Sequence, residues 1–496
     1  MTRVTSFKRS LLGASSACLL WMLYAAVAGA ASLSDAQLVT ALRAHLEQLS
    51  AQDAFSGSVL VAKNGKVLFE HAYGLADHAF NAPNKVDTKF NLGSMGKMFT
   101  AVAILQLAEQ GKLSLNDTLL KLAPDYPDKD IAGKITVYQL LTHTSGLGEM
   151  FNEKFFDTPK DRFTTIEAHL PLFTGKPLLF EPGAKWSYSN AGFIVLGLVI
   201  ERVSGQSYYD YVREHIFKPS GMLNTDNFKP HDDVPNLAVG YTAAPGQSRR
   251  AINFPGALSS GPRITNSDFL QPGASAGGGY STVEDLFRFA QALQGHKLLS
   301  KELTDQDMTG QVPTGRGTAK YAFGMAEDFI NGVRVVGHGG GGPGINSNLD
   351  MYPDTGYVVA VMSNYDGAAD LLKDRIRLWL TGQSVPQPIR LSADALRVFA
   401  GKYVLQAPSS GTPGMPGAQA AAAVPSEVPV EITADDQGLW LTTGARHRLL
   451  PLSAREFFDD NAPFLRFTFL ADEQGRIEGF SFPGPGGVPV KGTRER

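Results

Sequence analysis

Ser94 and Lys97 stand three residues apart at the head of an apolar, helix-like run. That run continues through Ala101, Val102, Ile104, Leu105 and Leu107 to Gln110-Gly111. A helix puts residues i and i+3 on one face, so the spacing aims a hydroxyl and an amine at the same point. The first turn also carries N–H groups without intrahelical partners and the positive end of the helix dipole, and both favour developing negative charge. The pair fits a serine nucleophile activated by a lysine. The chemistry sets a condition on that lysine, which takes the serine proton only when neutral. An ordinary lysine of pKa about 10.4 is roughly one part in 2,500 neutral at pH 7, a cost of about 4.6 kcal/mol. Burial or a second nearby cation must lower that cost. Ser-x-x-Lys is common, and alone it reads equally as an N-cap followed by a solvated lysine. The rest of the chain decides between the two.

Local patterns predict the elements that would hold such a pair. Leu38, Leu42 and Leu46 mark a helix from Ser34 to about Leu49. Asn64-Gly65 between the runs 57–63 and 66–72 is a hairpin signal. Thr136 and Gln139 form a capping box for a short helix that ends at His143. Glu181-Pro182-Gly183 turns the chain ahead of Tyr188-Ser189-Asn190 and an apolar helix from Ala191 to Val203 stopped by Ser204-Gly205; taken alone, Tyr188 and Asn190 would read as a helix-entry loop with Asn190 as N-cap. Residues from about 225 to 276 are rich in Pro, Gly, Ser and Asn, which suits an active-site wall or lid. A helix follows from Ser281, then strands over 333–336, 348–352 and 357–362, and a closing helix over 371–380. Strands at both ends with helices between predict an α+β fold, a three-layer α/β/α arrangement with an antiparallel sheet packed by helices. Strand alternation resumes after Pro386-Gln387-Pro388 and predicts a small all-β domain.

Composition narrows the class. The chain has 496 residues, 43% of them hydrophobic, and a net charge of −3. That balance gives no footing for nucleic acid or an anionic membrane surface. Arg3, Lys8 and Arg9 precede an apolar stretch, Leu11 to Ala28, and Ala28-Gly29-Ala30 is a small-x-small cleavage site. Residues 1–30 are therefore expected to be a signal peptide of an exported protein, periplasmic or secreted, with an uncleaved anchor as the alternative. Cys18, the only cysteine, falls within that segment, so the expected mature chain has no disulfide, thiol nucleophile or cysteine-held metal. The expected organisation is a signal peptide at 1–30, a hydrolase domain at 31–385 and a β-rich domain at 386–496. A disordered Pro/Gly/Ala/Ser insertion is expected at about 407–426.

From about residue 50 to 382 the chain resembles the β-lactamase-related serine hydrolases of class C type. That superfamily includes class C β-lactamases, D-alanyl-D-alanine carboxypeptidases, D-amino-acid peptidases and family VIII carboxylesterases. The resemblance rests on ordered motifs: Ser94-Met95-Gly96-Lys97, Leu140 to Leu147, Tyr188-Ser189-Asn190, Gly278-Gly279-Tyr280-Ser281-Thr282, and His338-Gly339-Gly340 on a late strand. It implies that Ser94 is the acylated nucleophile, with Lys97 and Tyr188 as a coupled proton-handling pair. It further implies that Asn190 hydrogen-bonds the lysine and the substrate. The oxyanion would be held by the N–H of Ser94 and by the strand at Gly340 and Gly341. His143 is expected to be structural, tying loop backbone.

The chain departs from that pattern at His338. β-Lactamases carry Lys-Thr-Gly on this strand, and its permanent cation holds the substrate carboxylate. Histidine is mostly neutral at pH 7, so the expectation moves toward an esterase or D-amino-acid peptidase, with β-lactamase as an alternative. The expected partner is a small-molecule ester, β-lactam or D-amino-acid peptide substrate, with no cofactor, no metal and no nucleic acid. A rival of another class is a non-catalytic protein of this fold that binds peptidoglycan peptides or a partner. Gly273-Ala274-Ser275-Ala276-Gly277 also matches a Gly-x-Ser-x-Gly elbow, but no buried strand precedes it.

Overall fold

The computed structural model describes residues 32–228, 232–243, 263–270, 272–315, 317–383, 386–406, 427–435, 438–442, 446–460, 463, 465–483 and 489–495. The expected signal peptide and the insertion at about 407–426 lie outside the described residues.

Helix α1 (Asp35–Ala51) is capped by Ser34 and Gln37 and buries Leu38, Leu42, Leu46 and Leu49. Strands β1 (Gly57–Lys63) and β2 (Lys66–Tyr73) form the expected hairpin, with Asn64 and Gly65 both at positive φ as its tight turn requires. Helix α2 (Gly96–Glu109) carries Lys97 and is buried from Gly96 to Leu107. Helices α3 (Val137–Leu141), α4 (Asn190–Ser204) and α5 (Val283–Gln294) follow. The capping box of Thr136 and Gln139 starts α3, and Gly205 in the left-handed region ends α4.

The C-terminal half of the sheet comes from β3 (Val312–Pro313), β4 (Lys320–Tyr321), β5 (Ala326–Ile330), β6 (Val333–Gly342), β7 (Ile345–Tyr352) and β8 (Tyr357–Ser363). The order is β2-β1-β8-β7-β6-β5-β4-β3, antiparallel throughout. The two chain ends of the domain thus meet at β1 and β8 in mid-sheet.

Side-chain alternation separates the layers. Val59 and Val61 of β1 join α1 and helix α6 (Ala368–Thr381) in one apolar cluster. Leu60 and Ala62 join α2, α4 and α5 in the other. Helices therefore cover both faces, which is the predicted three-layer arrangement. The C-terminal strands close into an eight-stranded antiparallel barrel that runs from Gly401–Gln406 to Pro489–Arg494. Its apolar interior includes Leu371 of α6, and Arg375 of the same helix donates to the carbonyl of Asp460. The barrel therefore rests on α6, the helix behind the sheet.

Candidate active site

Ser94 lies in a short 3-10 turn, Gly93–Met95, that leads directly into α2. Two glycines let backbones crowd around it. Gly93 has φ +50, and a Cβ there would come within 2.9 Å of the Gly341 nitrogen. A Cβ on Gly340 would come within 1.9 Å of the Leu92 carbonyl. The strand at Gly340 and Gly341 is thus pressed against the residues just before the nucleophile. Gly93 O also accepts from the Gly278 N–H at 2.8 Å, which closes the third side.

Lys97 is fully buried, and its surroundings suit a neutral amine. Nζ donates to Asn190 Oδ1 at 2.7 Å and to the carbonyl of Ala276, and lies 3.3 Å from Ser94 Oγ. A neutral amine has two N–H bonds and one lone pair. In that form the two N–H bonds go to Asn190 Oδ1 and the Ala276 carbonyl, and the lone pair can take the Ser94 proton. Burial pulls the amine down from the ordinary lysine value to about 7, with Glu149 opposing the shift. The rings of Tyr188 and Phe193 lie 4.9 and 5.5 Å from Nζ.

The hydroxyl of Tyr188 is buried and lies against Ser94, close enough for the serine to oppose the upward push of burial on its pKa. It makes no hydrogen bond of good geometry in the free site. Such bonds are often long before substrate binds. Because burial raises the phenol well above its usual value, Tyr188 is held as the neutral O–H form.

Asn190 contacts the lysine, as the family resemblance implies. It is not the N-cap of α4: Ser189 is, its Oγ accepting from the Gly192 N–H at 3.1 Å. The cap being supplied by its neighbour, the Asn190 amide is free to face Lys97. Its Nδ2 donates to Glu149 Oε2 at 2.9 Å. The sequence reading did not single out Glu149. It lies in the loop after Leu147 with no periodic pattern around it, and no local signal marks it.

His338 is neutral. Burial, the nearby Lys97 amine and only partial compensation from the Gly339 carbonyl lower it to about 3. Its Nδ1 faces that carbonyl, and Nε2 lies 3.2 Å from the Tyr321 hydroxyl. The assigned tautomer therefore donates from Nδ1 and accepts from Tyr321 at Nε2. Tyr321, on the two-residue strand β4, is a second site residue the sequence did not mark. His143 ties loop backbone as expected: its Nδ1 accepts from the Ser189 N–H at 3.1 Å and its carbonyl from the Ser187 N–H at 2.9 Å. It also packs 4.3 Å from the Tyr188 ring, so it supports that side chain as well.

The stretch from about 225 to 276 contributes wall rather than lid where it is described at the site. Ala274, Ser275 and Ala276 are buried, and Ala276 supplies the carbonyl under Lys97. Ser275 of the apparent elbow is sealed against α4, where a Cβ on Gly197 would come within 2.2 Å of its Oγ. It is not a nucleophile. Among the described residues, no group of three His, Cys, Asp or Glu side chains is placed to hold a metal ion.

The Ser-Lys-Tyr-Asn constellation between a buried helix and an antiparallel sheet defines a class. A family model described as Beta-lactamase matches residues 42–383, and the chain belongs to the β-lactamase-related serine hydrolase superfamily. It is 29% identical to Penicillin-binding protein 4* of Bacillus subtilis over 329 residues, which span 65% of this chain and 71% of that protein. It is 30% identical to Esterase EstB of Burkholderia gladioli over 316 residues, 59% of this chain and 80% of the esterase. The crystal structure of a penicillin binding protein from Bacillus halodurans shares 33% identity with a TM-score of 0.59, covering 67% of this chain and 98% of that one.

Proposed function

We propose that this protein is an exported serine hydrolase that forms an acyl-enzyme on Ser94 and acts on ester bonds in preference to β-lactams. The observation that carries the reading is the hydrogen-bond inventory of Lys97. Lys97 is fully buried, its firm acceptors are the Asn190 amide oxygen and the Ala276 carbonyl with no carboxylate among the described residues in hydrogen-bond contact, and its Nζ lies 3.3 Å from Ser94 Oγ.

The mechanism follows from the charges. Neutral Lys97 takes the Ser94 proton as Oγ attacks the carbonyl carbon. Lowering the amine from 10.5 to about 7 removes about 5 kcal/mol of the cost of having it neutral. Negative charge then grows on the carbonyl oxygen, where the N–H groups of Ser94 and Gly341 are the two donors. Tyr188, held as a neutral phenol beside Ser94, gives its proton to the leaving oxygen and recovers one from the lysine ammonium. Water reverses the sequence to release the acid. Lys97 and Tyr188 act as one coupled pair, with the lysine as the base because the tyrosine is held away from its phenolate form.

Substrate preference rests on His338. A neutral imidazole with both nitrogens engaged offers no cation for the carboxylate that β-lactams and carboxy-terminal peptides present. Uncharged esters lose nothing by this, and the esterase among the relatives fits the same reading. The test is a panel on purified protein: a short-chain nitrophenyl ester, a chromogenic cephalosporin and a D-amino-acid peptide amide. The ester should turn over fastest. A cephalosporin hydrolysed faster by orders of magnitude would reverse the assignment. No turnover and no Ser94 labelling, with the protein folded, would favour a binding protein.

A further inference from the structure

Glu149 has no part in the steps above, yet it accepts more hydrogen bonds than any other side chain beside Lys97. Its Oε1 accepts from the Met150 N–H at 2.7 Å and the Phe151 N–H at 3.4 Å. Its Oε2 accepts from Asn190 Nδ2 at 2.9 Å and from the Asn190 N–H at 3.4 Å. All four partners donate. A protonated carboxyl would need an acceptor for its own hydrogen, and these four contacts offer none; burial pushes the group upward, while these donors and Lys97 oppose that push and favour the carboxylate. The same contacts fix Asn190. With Nδ2 committed to Glu149, Oδ1 must face the opposite way, and there it meets Lys97 Nζ at 2.7 Å.

We propose that Glu149 is a positioning residue that orients the Asn190 amide and, as the carboxylate joined to Lys97 through that amide, sets the pH at which that lysine becomes a base. This rests on the reading of Lys97 as the base for Ser94. The groups facing Lys97 come from every side of the site: Glu149 and His143 from the loop after α3, Tyr188 and Asn190 at the start of α4, and His338 on β6. His143 and His338 are held neutral by burial and by the lysine itself, and Tyr188 is held as the phenol. Glu149 is thus the one of these groups that carries charge when Lys97 titrates. It favours the ammonium, while burial opposes it more strongly. The pair therefore determines where between ordinary lysine behaviour and full desolvation the amine comes to rest.

The sign of the expected change is fixed. Activity needs neutral Lys97, so the rate rises with pH through its pKa. Removing the Glu149 charge disfavours the ammonium and moves that limb to lower pH, by about one unit or more. Glu149→Gln keeps the shape but must present an NH2 group to donors on one side. Asn190 is then free to turn, and the plateau rate should fall by about tenfold or more. The experiment measures kcat/KM for a nitrophenyl ester from pH 5 to 9 in wild type, Glu149→Gln and Asn190→Ala. In parallel, the Lys97 side chain is titrated by NMR on protein carrying 13C-labelled lysine, its signal assigned by its absence in Lys97→Arg. Wild type should show one lysine titrating far below the rest, and Glu149→Gln should move it lower still. Asn190→Ala should lower the rate while moving the limb less than Glu149→Gln does. An unmoved lysine titration in folded Glu149→Gln would overturn the proposal, whatever the rate did. A lysine that moves as expected in a protein without turnover would leave the role of Glu149 standing and remove the hydrolase reading instead.

Discussion

Two lysines, one on each side of the same sheet, have met opposite fates. Lys97, in front, is surrounded by an amide oxygen, a backbone carbonyl and a hydroxyl, and burial takes it down to about 7. Lys373 of α6, behind, is partly buried and lies 2.8 Å from Asp370 and 3.5 Å from Asp374, and those carboxylates raise it above its ordinary value against the opposing effect of burial. Burial alone therefore does not decide where a lysine titrates; an adjacent salt-bridge partner raises it and the lack of one lets burial lower it. The carboxylate that is present in front is kept one amide away. The two sites even share a strand. A Cβ on Gly340 would strike the loop before Ser94, whereas one on Gly339 would point toward Asp370. Behind the sheet, Asp370 also holds Asn346, whose register partner is Gly341, so the rear network steadies the strand that carries the proposed oxyanion donor.

Replacing each lysine by methionine sharpens the contrast most. Lys97→Met should lower ester turnover by about a thousandfold or more, since serine loses its base. Lys373→Met should leave the chemistry largely intact but lower stability by about 1 kcal/mol, because Asp370 and Asp374 lose a cation from an ion pair that is half exposed on the Asp370 side. Chemical denaturation and kinetics on both variants separate the outcomes. Equal loss of turnover from both would break the comparison.

Tyr188→Phe comes next, with an expected fall of about a hundredfold at an unchanged pH midpoint, because the phenol relays a proton and does not set the base. A shift of the midpoint upon this change would transfer the base role to the tyrosine.

The pH dependence of stability gives a smaller effect with a definite sign. The folded pKa of Lys97 is depressed, so its contribution is most favourable above pH 10.5 and is lost as pH falls toward about 7. The stability of wild type relative to Lys97→Met should therefore rise by about 1.4 kcal/mol per pH unit across that window. The folded pKa of Lys373 is raised, so its contribution is fully present below pH 10.5 and is lost only as pH climbs through the folded value. Relative to Lys373→Met the difference should be flat from pH 7 to 10. Slopes of the same sign for both lysines would contradict the assignment of the two environments.

His338→Lys is the mildest test. A cation at that position should improve reaction with a cephalosporin by about tenfold relative to the ester, as expected for one added charge contact at a partly exposed site. No change in the ratio would mean that another feature of the site excludes the carboxylate.

What was legible in the sequence was local. Asn64-Gly65, the Thr136–Gln139 box, the Gly205 stop and the Ser94-to-Lys97 spacing each encode geometry within a few residues, and each takes that geometry in the structure. Asn190 was legible only through the motif it shares with Tyr188; taken alone it reads as a cap, a position that the neighbouring Ser189 holds. Glu149 and Tyr321 were not legible. Their roles exist only because a loop and a two-residue strand arrive from elsewhere in the chain, and neither carries periodicity of its own. The stretch ending at Ala276 looked irregular for the same reason: its value lies in a single carbonyl delivered to Lys97.

The most direct test of the central claim is covalent. Purified protein is treated with a fluorophosphonate ester, digested and mapped by mass spectrometry, with Ser94→Ala and Lys97→Met alongside. We expect one adduct, on Ser94, formed faster as pH rises through about 7, absent from Ser94→Ala and strongly slowed in Lys97→Met. An adduct on another residue, or a folded wild-type protein that stays unlabelled, would contradict the assignment of Ser94 and Lys97 as nucleophile and base.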